Sequence, residues 1–322
     1  MDPHKPHDVI RRAFQQARTF VLVSHVSPDG DAVGSLLGLG WALRAQGKQV
    51  ALVLADPVPE NLRFLPAAET IQSRAQQRPD LVVAVDCGDR SRVGDALPAN
   101  WAVDVNIDHH KTNTHFGRYN VVEPDAPSTT AIIAEHLADW GLPLPRESAL
   151  ALLTGLITDT LGLRAPTVRP ETLRLAARLM EAGADISLAF YEAMVAKSFA
   201  MTRYLGIGQA RAQLIEGVVW SYLTRADREA TGFPEPDDAG LVNHLLNVRE
   251  ASISVVLIEL DEPGRIKVSW RAKEGWDVGE LARSFGGGGH TAAAGARVEG
   301  TLDQVREQVL ARTVQFYRTR TL

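Results

Sequence analysis

Residues 19–31, TFVLVSHVSPDGD, set an apolar run against a turn rich in Pro, Asp and Gly, and helix-forming sequence follows over 32–45. A short apolar run bounded by turn formers reads as a strand buried on both faces. Similar runs recur at 48–54, at 80–85 (DLVVAV) and at 102–107 (AVDVNI). Helical patterns follow at 128–140, 147–157 and 171–182, the first with Ser128 as its N-cap and the last closed by Gly183. Strands separated by helices predict parallel βαβ units and a doubly wound α/β sheet.

Past about residue 188 the pattern changes. Residues 190–213 read as a connecting helical region, and 218–223 and 253–260 as strands. Residues 265–271 (RIKVSWR) pair with the latter across Asp261-Glu262-Pro263-Gly264, which is hairpin punctuation. A helix at 278–285, a glycine run at 286–289 and a closing helix at 302–317 complete the chain. The expected architecture is a catalytic α/β domain over 1–188, a helical linker or hinge over 189–205, and a smaller α/β domain with a mixed sheet over 206–322.

Composition narrows the function. With 45% hydrophobic residues in 322, the chain can bury two ordinary cores and is not disordered. A net charge of -5 argues against a protein that coats long nucleic acid. The lone Cys87 excludes an intrachain disulfide or a cysteine zinc site, and it reads as a small buried residue rather than a nucleophile. No apolar run is long enough to span a membrane and the leader MDPHKPHDVIRRAF lacks an apolar centre, so a cytoplasmic protein is expected. His4 and His7 in that leader read as solvated tail residues.

Four segments place Asp or His just beyond an apolar run: His25-Val26-Ser27-Pro28-Asp29-Gly30-Asp31, Asp86, Asp108-His109-His110, and Asp159. Each alone is an ordinary turn former, helix cap or surface histidine. Together they have another meaning, because ligands of open parallel sheets sit outside the carboxyl ends of the strands. Carboxylates converging there raise one another's pKa unless cations neutralise them. No run of Lys or Arg adjoins these segments. Divalent cations satisfy the charge, and oxygen with imidazole donors favours Mn²⁺ or Mg²⁺.

In this order the segments HVSPDGD, VD at 85–86, DHH at 108–110 and TDT at 158–160 resemble the motifs of the DHH phosphoesterase superfamily. Residues 284–296 (SFGGGGHTAAAGA), with Trp270-Arg271-Ala272-Lys273 upstream, resemble its DHH-associated C-terminal domain. Within the superfamily the two-domain chain is most similar to the bacterial bifunctional oligoribonuclease and pAp phosphatase type. That resemblance implies hydrolysis of very short RNAs to mononucleotides and removal of the 3′-phosphate of pAp. It implies two divalent cations, Mn²⁺ first and Mg²⁺ or Co²⁺ as alternatives. One would be held by His25, Asp29 and Asp86, the other by Asp31, Asp86, His109 and Asp159. His110 would act on the phosphate as a catalytic group, with Asp108 orienting the histidines. The run Thr160-Leu161-Gly162-Leu163-Arg164 departs from the glycine-then-aromatic sequence the family suggests at the floor of the substrate pocket.

In the second domain, Gly287, Gly288 and Gly289 would let backbone N–H groups approach a phosphate, Arg271 would grip it bidentately, and His290 would contact phosphate or base. Six Lys or Arg against three acids over 265–297 predict a local basic surface. Hydrolysis is expected between the two domains, with the linker allowing closure and the second domain measuring substrate length. The expected partners are short RNA or a nucleotide bisphosphate, with no membrane and with a homodimer left open. The competing readings are a cyclic-di-AMP or pApA phosphodiesterase and, in a different class, a metal-dependent nucleotide sensor without turnover.

Overall fold

The computed structural model describes residues 5–321, so His4 lies outside the described residues. The chain divides into two compact units, Met1–Ala196 and Lys197–Leu322.

In the first unit, β1 (Thr19–Val23), β2 (Gln49–Val53), β3 (Leu81–Val85), β4 (Val105–Asp108) and β5 (Tyr119–Val122) form one parallel sheet in the order β2-β1-β3-β4-β5. Successive side chains of a strand face opposite ways, and both faces are covered. Phe20 and Leu22 join a core with the helices, whereas Val21 and Val23 join a second core with Val93, Ala96 and Leu97. That second face is covered by loops and the kinked 3-10 stretch Arg90–Ala96. The order reverses between β1 and β3, and a crevice opens outside the strand ends at such a reversal.

The unit's helices are α1 (Lys5–Gln16), α2 (Gly30–Ala45), α3 (Thr129–His136), α4 (Arg146–Asp159), α5 (Pro170–Glu181) and α6 (Ile186–Phe190). Helix α1 corrects the reading of a solvated tail: Ile10 and Phe14 are buried, and Phe14 meets Phe20 and Trp140 edge-on at 5.7 and 5.9 Å. Aromatic pairs of this kind contribute about 0.5–1.5 kcal/mol each beyond burial. His7 is no solvated tail residue either. It stacks on His136 with centroids 4.1 Å apart and accepts from the Trp140 indole N–H at 3.2 Å.

Helices α2 and α4 pack antiparallel at very close range. A Cβ on Gly34 would stand 2.6 Å from the Ala151 carbonyl oxygen, and one on Gly30 would overlap the Thr158 side chain. Further along, Ser148 donates to the carbonyl of Gly38 at 2.7 Å. This pairing sets the first turn of α2 against the last turn of α4, and so brings Asp31 beside Asp159.

In the second unit, α7 (Phe199–Ala210) precedes β6 (Gln213–Ile215), β7 (Val218–Leu223), α8 (Arg225–Thr231) and α9 (Leu241–Leu246). There follow β8 (Ile253–Glu259), β9 (Arg265–Ala272), α10 (Val278–Arg283), β10 (Gly288–His290), β11 (Ala293–Glu299) and α11 (Leu302–Thr321). The mixed sheet runs β10-β11-β9-β8-β7-β6, with β7 parallel to β8 and the other neighbours antiparallel. Trp270, Val268 and Ile266 pack with α10 and α11 on one face; Val256 and Ile258 pack with α7 and α9 on the other. No helix of the described residues is long and apolar enough to cross a membrane.

Candidate metal centre

The crevice between β1 and β3 gathers the predicted acids and histidines of the first unit. His25 follows β1, Asp86 follows β3, and Asp108 ends β4. Asp29 caps α2, its Oδ1 accepting from the N–H groups of Asp31 and Ala32 at 3.1 and 3.0 Å. The cap reading and the ligand reading of Asp29 are compatible, because the second carboxylate oxygen stays uncommitted and the side chain is 62% exposed.

Asp86 is the pivot. Its backbone is left-handed (φ 52°), a costly state for a non-glycine residue, and its N–H is held by the Ile107 carbonyl at 2.9 Å. Its two oxygens look in opposite directions. Oδ2 lies 3.4 Å from His25 Nε2, while Oδ1 lies 3.9 Å from His109 Nε2 and 3.7 Å from His110 Nδ1. Donor atoms of His25, Asp29 and Asp86 fall within 4.8 Å of one another, as do those of Asp31, His109 and Asp159, and those of Asp86, His109 and His110.

The amino end of α3 fixes the acids. Asp31 Oδ2 accepts from the Thr129 N–H at 2.7 Å, and Oδ1 accepts from the Thr130 N–H and hydroxyl at 2.9 and 2.7 Å. Asp86 Oδ1 accepts from the Thr129 hydroxyl at 2.9 Å. Ser128 caps this helix as expected, its Oγ accepting from the Ala131 N–H at 3.0 Å. The two threonines were not singled out from sequence. Their adjacency to the Ser128 cap was the available signal, since the N–H groups and positive dipole end of a helix suit carboxylates.

Asp108 is fully buried and serves one histidine, not both. Its Oδ1 pairs with His110 Nδ1 at 2.8 Å and its Oδ2 accepts from the Asn113 amide at 2.6 Å. His109 Nδ1 instead faces the Ala126 carbonyl at 3.4 Å. The hydrogen bond to Asp108 is the main cause that raises His110 to about 9, against the effect of burial. Burial, with Asp86 and Asp159 adding repulsion, holds Asp31 well above the usual carboxylate range. Burial, then Asp86 and Asp29, lifts Asp159 to about 6. Burial pushes Asp86 up too, but contact with His25, His110 and His109 outweighs it and leaves this carboxylate low.

These oxygen and imidazole donors fit divalent cations. Positive charge among them offsets the burial and the repulsion that raise Asp31 and Asp159, and the donor chemistry is that of Mn²⁺, Mg²⁺ and similar ions. Cys87 is buried and its thiol is raised to about 12, chiefly by burial, as befits an inert packing residue. After Asp159 the chain turns sharply: Leu161, Gly162 and Leu163 all take positive φ, and Thr160 Oγ1 accepts from the Leu163 N–H at 3.1 Å.

In the second unit, register places Arg271, Ala293 and His290 in one cross-strand row. Directly opposed residues share a face, and two strand spacings separate Arg271 from His290 by about 10 Å. Gly288, Gly295 and Ser269 form the next row on that face, a floor of small residues. The glycine run is partly an edge strand. A Cβ at Gly287 or Gly289 would collide with the β11 backbone, whereas one at Gly288 would meet open space. The basic surface is smaller than the residue count suggests. Arg265 pairs with Glu299 at 2.9 Å, Lys267 pairs with Asp237 at 3.0 Å, and Lys273 donates to the carbonyls of Val248 and Arg249.

The chain matches known proteins along most of its length. A model of the DHH family N-terminal domain matches residues 19–156, and a model of the DHHA1 domain matches residues 231–318. The bifunctional oligoribonuclease and PAP phosphatase NrnA of Thermus thermophilus is 36% identical over 298 residues, covering 90% of this chain and 87% of that protein. Its namesake in Bacillus subtilis is 26% identical over 283 residues, 87% of this chain and 89% of that one. The crystal structure of an exopolyphosphatase-related protein from Bacteroides fragilis superposes with a TM-score of 0.88 at 26% identity, covering 98% of this chain and 96% of that one.

Proposed function

The chain belongs to the DHH family, and on that premise we propose that it is a cytoplasmic, metal-dependent phosphoesterase. Its substrates are RNAs of about two to five nucleotides, cut to mononucleotides, and pAp, from which it removes the 3′-phosphate. The observation that carries this reading is Asp86, whose two oxygens face separate histidine-bearing donor groups. A bridging carboxylate between two cations needs that arrangement.

His25, Asp29 and Asp86 would hold one cation; Asp31, Asp86, His109 and Asp159 would hold the other. Bound there, divalent cations supply Lewis acidity toward a phosphoryl oxygen and activate water at neutral pH. The chain's own residues do the rest. Thr129 and Thr130 hold the Asp31 and Asp86 carboxylates in place by hydrogen bonds. Asp108 holds Nδ1–H of His110, leaving Nε2 to donate to a phosphoryl or leaving oxygen. We assign catalysis to the first unit and substrate grip to the second, where Arg271, His290 and backbone N–H groups of the run Gly287, Gly288 and Gly289 receive a nucleotide phosphate.

The test is Mn²⁺-supplemented turnover of pAp, pApA and cyclic-di-AMP, together with a series from dinucleotide to about ten nucleotides. Cleavage of pApA and pAp, with rates falling as length grows, is expected. Preference for cyclic-di-AMP would move the substrate assignment, and a flat series would remove the length selection. Nucleotide binding with no turnover of any member would leave a sensor.

A further inference from the structure

Arg92 belongs to neither ligand set and lies outside the second unit, yet the fold brings it against the metal centre. Its backbone is tied down at both ends: its N–H donates to the Asp89 carbonyl at 3.1 Å, and its carbonyl accepts from the Val26 N–H at 2.7 Å. Asp89 in turn caps the 3-10 stretch through the Ser91 N–H at 2.8 Å, and the next residue, Val93, is fully buried. From this fixed base the side chain runs out exposed and sets Nη2 3.2 Å from His25 Nδ1.

That nitrogen cannot serve two partners in the same way. His25 Nδ1 also lies 2.8 Å from the Val26 carbonyl, which accepts only from an Nδ1–H. An imidazole that donates from Nδ1 to this carbonyl has no lone pair there to offer the guanidinium. Two donors then face each other, so the His25 contact consumes none of the guanidinium's N–H groups. No ion pair with a carboxylate occupies Arg92 among the described residues either. The neighbouring Arg90, by contrast, is used structurally, donating to the Pro98 carbonyl at 3.1 Å.

We propose that Arg92 is a substrate-contacting residue: its guanidinium grips a phosphate oxygen of the nucleotide at the open edge of the centre, beside His25. The inference rests on the phosphoesterase reading above. The edge is defined by exposure, since Asp29 is 62% exposed there while Asp31 and Asp86 are buried at its back. A phosphate entering this edge meets five aspartates nearby. An arginine with uncommitted donors offsets that repulsion and adds the planar, two-pronged grip that a lysine lacks. The residue is six positions beyond Asp86, inside no basic run, so only the folded chain makes its position visible.

The alternative is that Arg92 merely positions His25 for metal. Three binding measurements on the full chain separate the two, using wild type, Arg92→Ala and Arg92→Lys. Mn²⁺ affinity is read directly from free Mn²⁺ without nucleotide; AMP and adenosine affinities are then read at saturating Mn²⁺. AMP is a product of the proposed reactions, so nothing turns over. We expect Arg92→Ala to keep Mn²⁺ affinity within about twofold and to weaken AMP about tenfold or more. Adenosine binding should not change, and Arg92→Lys should recover part of the loss. The proposal is overturned if wild type binds AMP no better than adenosine, if Arg92→Ala leaves AMP affinity intact, or if the loss appears in Mn²⁺ affinity instead. Failure of wild type to hydrolyse pApA and pAp would refute the enzymatic reading separately, because the AMP comparison does not depend on turnover.

Discussion

The two units place their candidate chemistry in opposite settings. In the first, the acids and histidines stand at the ends of core elements: Asp31, Asp86 and Asp108 are buried, and α2 and α4 meet closely enough to press Gly34 on the Ala151 carbonyl. In the second, Gly288, Gly289 and His290 lie on an exposed edge strand, with Arg271 half-buried two strands away. The contrast teaches that a site made of convergent charges has to be held by the core, because only buried hydrogen-bonded elements keep repelling carboxylates together. A phosphate-binding face needs only open backbone and one or two cations, and can sit at a sheet edge.

Substitutions can sharpen or break that contrast. The largest effect is expected from His110→Ala, which should lower turnover of pApA about a thousandfold while direct titration still shows Mn²⁺ binding. A loss of Mn²⁺ binding instead would make His110 a ligand. Next, Gly34→Val should cost about 3 kcal/mol in denaturant unfolding, because the added Cβ meets a backbone oxygen that cannot yield. Arg271→Ala should raise KM for pAp about tenfold at unchanged kcat and leave stability within about 0.5 kcal/mol. Equal stability losses in Gly34→Val and Arg271→Ala would erase the difference between the two settings.

The smallest effect concerns His136, on α3. Its Nε2 meets Glu123 at 2.9 Å and its Nδ1 meets Asp139 at 2.8 Å, and the Glu123 bond chiefly raises its pKa against burial. A raised folded pKa means the pairing stabilises fully below about pH 6.5, the unfolded value, and fades as pH climbs through the higher folded value. The gap in unfolding midpoint between wild type and His136→Gln should therefore be wider at pH 6 than at pH 9. An equal gap at both would contradict the charged pairing.

Much of this was legible in the sequence, for identifiable reasons. Strands such as VLV and VVAV are doubly buried and hence uninterrupted, so β1 and β3 stand out, and the residues that follow them fall at the crevice. The strand β5 (YNVV) was missed because it is four residues long and carries Asn120 in its middle. Helix α1 escapes a reading of the leader as polar and solvated, although the spacing of Ile10 and Phe14 is already helical. Charge counting overstated the basic face, since Glu299 and Asp237 that neutralise it come from other strands and loops. Arg92, Thr129 and Thr130 act through tertiary contacts, which no local pattern announces. The aspartates at the centre also recast the charge of the chain: Asp29, Asp31, Asp86, Asp108 and Asp159 equal in number the whole of its net -5.

The central claim is that Asp86 joins two cation sites that act together on a phosphoester. It is tested most directly by counting Mn²⁺ bound per chain in wild type and Asp86→Ala, with pApA and pAp turnover measured on the same samples. The account predicts two ions in wild type, at least one lost in Asp86→Ala, and loss of both activities with it. An Asp86→Ala protein that keeps its ions and both activities would contradict it.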